Sequence, residues 1–142
     1  MLIPIADIAE AAKVGMMNTP MSDRVLDQRL RNGIIERLQM LVDWTETVAA
    51  IGATGYFNSF FDVLPDKPPL PINTALSSEE REALTEVLDL MDRAASCTGQ
   101  NVTDEELITS AWPMRIGEQA NSALSIMMVR GKLSDDVEAP TA

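Results

Sequence analysis

Leu26, Leu30, Ile34, Leu38, Leu41, Thr45 and Val48 follow one another at steps of four and three, which is the spacing of one helical face and cannot be laid on a strand of period two. It predicts a helix from Ser22 to about Ile51, with Gly52 as its stop. Past Ile34 the other faces turn apolar as well, through Ile35, Met40, Val42, Trp44 and Ala49. A helix that is apolar all round is normally surrounded by protein, so this one is expected at the centre of the domain, with Gly33 marking a bend or a close helix crossing. No alternation of period two persists anywhere, and no internal repeat is visible, so strand content should be near zero.

Two further helices announce their starts through capping chemistry. In Ser77-Ser78-Glu79-Glu80 the Ser77 hydroxyl can accept from the amide three residues on while Glu80 reaches back. The helix that follows has Leu84, Val87, Leu88 and Met91 on its inner face, with Glu82, Glu86, Asp89 and Arg93 outside, and Gly99 is predicted as a left-handed cap. Thr103 and Glu106 form a second box, which starts the last helix at residue 104. Pro113 should kink or split that helix near Ala111, after which Ile116, Ala120, Ala123, Leu124 and Met127 turn inward.

Between these elements, Phe57, Phe60, Phe61 and Leu64 share one face of a short helix, and the run Pro65, Pro68, Pro69, Pro71 then forces an extended strap reaching about Ala75. Pro4, Ile5, Ile8 and Ala12 predict a short helix over residues 4–14, set off by the turn Asn18-Thr19-Pro20. The chain therefore reads as an all-α helical bundle of about four or five helices with a proline-rich strap between its second and third long segments. Residues 1–21 are expected to form an N-terminal helical arm, 22–133 the bundle, and 134–142 a disordered acidic tail with too little apolar content to pack.

Charge narrows the functions open to such a bundle. With 22 acidic and 11 basic residues the chain carries a net charge of −11, so it lacks the basic field that phosphate backbones require and is repelled by anionic lipid. No nucleic-acid or membrane partner is expected. There is no histidine, the side chain most used in acid–base catalysis and the commonest metal ligand. The lone Cys97 can form no intrachain disulfide and no cysteine cluster, and without a histidine base it reads as a buried or half-buried structural thiol. A start that meets acidic residues within seven positions does not read as a secretory signal, and the expected compartment is the cytoplasm.

The remaining candidates are weighed against plain structural roles. The row Glu79, Glu82, Glu86, Asp89 is an ordinary solvated helix face, and metal-bundle and calcium-loop spacings are both missing. Arg24, Arg29, Arg31 and Arg37 make residues 22–37 mildly basic at +1, against −7 from Ser77 to Glu106. They are expected to pair along their own helix and with the acidic helix beside it. No nucleophile or phosphate-loop motif occurs, so no enzyme and no cofactor is expected.

Tyr56, Phe57, Phe60 and Phe61 fall within six positions beside the strap residues Pro68 and Pro71. They either plug one end of the bundle or form a ligand or partner surface. On the last helix, Gly117, Ala120, Asn121, Leu124, Ser125 and Met128 form a strip of small and apolar side chains that is expected to pair with a second copy as a homodimer. The leading reading is a non-catalytic protein-interaction or regulatory module. The alternative is a small-molecule or peptide binder using an aromatic pocket beside the strap.

Overall fold

Ser22 opens the first helix by accepting a hydrogen bond from the Val25 amide at 3.2 Å, and the two predicted capping boxes are both closed, at Ser77/Glu80 and Thr103/Glu106. In the computed structural model, which describes residues 22–99 and 101–140, these starts and their stops give an all-helical bundle. Its helices are α1 (Asp23–Val42), α2 (Trp44–Phe61), α3 (Ser78–Thr98), α4 (Asp104–Thr109) and α5 (Trp112–Met127). There is no strand among the described residues, and no helix there is long and apolar enough to cross a membrane. Residues 62–77 carry no helix. The predicted arm over 1–21 lies outside the described residues.

The long helix predicted from Ser22 to Ile51 is two helices, divided at Asp43 (φ −91°, ψ 43°). No glycine or proline announces this break. It is held instead by the Thr47 hydroxyl, which donates to the carbonyls of Met40 at 2.8 Å and Asp43 at 3.1 Å. Gly52 was expected as a stop and is a kink within α2. Its φ of 78° lies where a side chain is strained, and the chain resumes its helix with the Ala53 amide donating to the Asp104 carboxylate at 2.7 Å. At the other predicted boundary, Ala111 adopts a left-handed conformation (φ 68°) between α4 and α5, and Pro113 sits in the first turn of α5, where a missing amide costs nothing.

Two expectations about α1 are corrected. Leu26 and Leu30, the start of its apolar stripe, are 49% and 37% exposed, while Gln28, Arg31 and Asn32 are buried. The helix is rotated because its polar residues have partners waiting. The Gln28 amide donates to the carbonyls of Ser134 and Val137, both at 2.9 Å, and its oxygen accepts from the Ala139 amide at 2.7 Å. Asn32 brackets Leu133 with two bonds of 2.8 Å. Arg24 and Arg29 add bonds to the carbonyls of Pro140 and Asp135. Residues 134–140, expected to be disordered, are thus laid along α1 by side-chain bonds to their backbone, a source of order that apolar content does not report.

Nor is α1 the centre of the bundle. That place belongs to α5, which packs on both α1 and α3 and also touches α2 and α4. Small side chains at Gly117, Ala120 and Ala123, all buried, let its neighbours approach. The crossing glycine is accordingly Gly117, where an added Cβ would lie 3.1 Å from the Trp44 ring and 3.2 Å from the Leu41 carbonyl. Around Gly33 an added Cβ meets nothing within 4 Å. Gly117→Ala is therefore expected to cost about 1 to 3 kcal/mol by overpacking, whereas Gly33→Ala should stabilise by up to about 1 kcal/mol through helix propensity. Chemical denaturation of the two variants measures both, and equal effects would contradict this packing.

Candidate functional site

Past the Gly52 kink, α2 presents its aromatic residues at helical spacing, and burial sorts them. Tyr56 and Phe60 are fully buried and Phe57 nearly so, while Phe61 is half-buried against the core. Adjacent rings meet edge to face, Tyr56 with Phe57 at 5.2 Å and Phe60 with Phe61 at 5.8 Å between centroids, a favoured arrangement. The Tyr56 phenol has no hydrogen-bond partner among the described residues, and burial pushes its pKa up. It is a core group.

Leu64 and Leu70 anchor the strap in the core, and Arg81 holds its far end by donating to the carbonyls of Leu70 and Pro71 at 3.0 and 2.9 Å. Pro68 is half-buried and Pro71 exposed, and neither is among the residues that line the groove bordered by Phe57 and Phe61. The six residues expected to share a partner surface are therefore divided between core and strap.

What the fold does build there is a groove of about 460 Å3, lined by Thr54, Phe57, Asn58, Phe61, Asp66, Asp92, Ala95, Gly99 and Val102. The ends of α2 and α3 supply most of it, the loop after α3 supplies Val102, and the start of the strap supplies Asp66. Only Phe57 and Phe61 of the predicted surface reach it. Its two carboxylates escaped the sequence reading, because Asp66 and Asp92 lie 26 positions apart and no local motif joins them. Neither makes an ion pair or a side-chain hydrogen bond with another described residue.

The predicted dimer strip divides as well. Gly117 and Ala120 are buried within the chain and Leu124 is half-buried, while Asn121, Ser125 and Met128 face outward. Gly117 and Ala120 serve the packing of α5 within this chain and are not available as part of an outer face. Cys97, expected to be at least half-buried, is exposed.

The four arginines are absorbed, mostly by main-chain carbonyls. Arg37 donates to the Ser59 carbonyl at 2.8 Å, and Arg24 and Arg29 hold the C-terminal segment. Arg31 alone reaches the acidic helix. Fully buried, it donates to Glu80 at 2.7 Å and to the carbonyls of Met127 and Gly131 at 2.9 and 2.6 Å. Glu80 also accepts from Arg130 at 2.6 Å and from the Ser77 amide at 3.0 Å. This charge cluster ties α1, the start of α3 and the end of α5 together.

The Glu79–Asp89 row is a solvated face, with Glu86 accepting from Gln119 at 2.8 Å and Asp89 paired to Arg93 at 3.0 Å. Among the described residues no group of three or more histidine, cysteine or acidic side chains is placed to hold a metal ion.

No protein-family model, curated protein or solved structure matches this chain. The groove is the part of the fold whose chemistry bears on function. Two carboxylates on an aromatic and aliphatic wall, with no arginine or lysine among the described residues that line the cavity, can receive a positively charged group with apolar neighbours and will repel an anion.

Proposed function

We propose that the protein is a non-catalytic interaction module that acts in the cytoplasm and engages a partner protein through the groove between the ends of α2 and α3. The observation that carries this reading is the groove itself. A cavity of about 460 Å3 is of the size that receives a ligand or a pair of side chains, and its two carboxylates have no ion-pair partner among the described residues. The lack of histidine in the whole chain favours binding over acid–base chemistry. An exposed, single cysteine suits a reducing compartment.

A photo-crosslinking residue placed at Asn58, which is exposed and lines the groove, tests the reading in cells of the native source. One discrete protein adduct from this position, and none from Glu118 on the exposed side of α5, is expected. No adduct, or the same adduct from both positions, would overturn it. A bound mass of a few hundred daltons in native mass spectrometry, without a protein adduct, would point to the small-molecule alternative.

The module pairs with a second copy through the outward edge of α5, where Met114 and Met128 are about half exposed. Sedimentation at tens of micromolar should then give two chains, and a single-chain mass would end it.

A further inference from the structure

We infer that the occupant of the groove is a basic and partly apolar segment of the partner, with one lysine or arginine side chain held between Asp66 and Asp92 and its apolar neighbours laid on Phe57, Phe61 and Val102. This rests on the reading of the groove as the binding face, and it adds the chemistry of what binds.

Three independent features make the groove a seat for a cation. Its carboxylates, Asp66 and Asp92, have no cationic partner among the described residues. Two helices also end on it, since Asn58 and Phe61 belong to the last turn of α2, while Ala95 is in the last turn of α3 and Gly99 is its cap. Each helix C-terminus carries roughly half a negative charge, which proteins commonly answer with a lysine or arginine in the last turn. Neither α2 nor α3 has a basic residue there, and the same holds for the other three helices, so what sets this place apart is that two such ends border one groove. Finally, the walls include two phenylalanine rings, whose faces attract an ammonium or guanidinium group.

The apolar wall decides between a bare cation and a peptide. Phe57, Phe61, Ala95 and Val102 offer more surface than one ammonium group can cover, and a metal ion would find two carboxylates where it needs further ligands. A side chain with apolar neighbours satisfies both parts of the groove. The net charge of −11 would speed the encounter with a basic partner.

Calorimetric titration of the full chain with a blocked Ser-Leu-Lys-Leu-Ser peptide tests this. Saturable binding is expected, weakening as salt rises from about 50 to 300 mM and falling about tenfold in the Asp66→Asn/Asp92→Asn variant. The melting temperature of that variant should match the parent, since neither carboxylate pairs with a cation among the described residues. The same peptide with glutamate in place of lysine should not bind.

No binding of the lysine peptide, equal binding of the glutamate peptide, or no loss in the double variant would each overturn the inference. Butylammonium binding as tightly as the peptide would make the groove a site for a small organic cation and would overturn the peptide occupant. A crosslinked protein at Asn58 together with any of these results leaves the interaction module standing and removes only this chemistry. Absence of that adduct removes the module itself.

Discussion

Arg31→Ala is expected to remove about 3 to 5 kcal/mol of stability, the range for breaking a buried, hydrogen-bonded ion pair by deleting one partner. Arg31 is completely buried, and its loss would strand Glu80, itself 2% exposed, with Arg130 as its one remaining cation among the described residues, and would unpair the Gly131 carbonyl, while the Met127 carbonyl keeps the Gly131 amide at 3.1 Å. The whole stability of a domain this size is about 5 to 15 kcal/mol, so the variant should be partly unfolded in mild denaturant. Urea denaturation of parent and variant gives the difference directly. A loss under 1 kcal/mol would mean that the cluster is open to water.

The same cluster sets a dependence on pH. Burial alone would raise the Glu80 pKa, but the hydrogen bonds from Arg31, Arg130 and the Ser77 amide more than offset it and hold the carboxyl below its usual range. A carboxylate whose pKa is lowered by folding contributes stability that is fully present above its unfolded value of about 4.3 and is lost as pH falls through the folded value. Stability should therefore decline below about pH 5, and Glu80→Gln should flatten that decline as well as lower the plateau. An unchanged acid limb in Glu80→Gln would assign the dependence to other carboxylates.

Phe60→Ala should cost a similar amount, about 3 to 5 kcal/mol, because a fully buried ring leaves both a lost transfer energy and a cavity. Its neighbour Phe61 is half-buried on the groove wall, so Phe61→Ala should cost less than half as much and should weaken peptide binding. Parallel denaturation and calorimetry separate the two. Equal destabilisation would place both rings in the core and remove the aromatic wall from the groove.

How far these features are legible in the sequence follows from the range of the interactions that make them. The starts of α1, α3 and α4 depend on side chains within three residues, and Pro113 acts where it stands, so these boundaries can be read locally, whereas Gly52 interrupts α2 only as a kink. The rotation of α1 cannot. It is fixed by Gln28, Arg31 and Asn32 finding partners about 50 to 110 positions away, and against those buried bonds the apolar claim of Leu26 and Leu30 loses.

The break at Asp43 is similarly silent, since a threonine hydroxyl does the work that a glycine or proline would have advertised. The groove stands between these cases. Phe57 and Phe61 are visible as a cluster, but Asp66 and Asp92 join them only once the fold brings the ends of α2 and α3 to the walls of one groove. The missing basic residue in the last turns of α2 and α3 is no local signal for it, since none of the five helices has one.

Where a cationic segment lands on the molecule is best measured by amide chemical-shift changes in the isotope-labelled full chain during titration with the lysine peptide. Binding in the groove should move the amides of Thr54, Asn58, Asp66, Asp92, Gly99 and Val102 together, along one saturation curve, and leave α5 and the C-terminal segment unchanged. Shifts centred instead on residues 114–128, or spread over the acidic outer face of α3 without saturating, would contradict the assignment of the groove as the binding face.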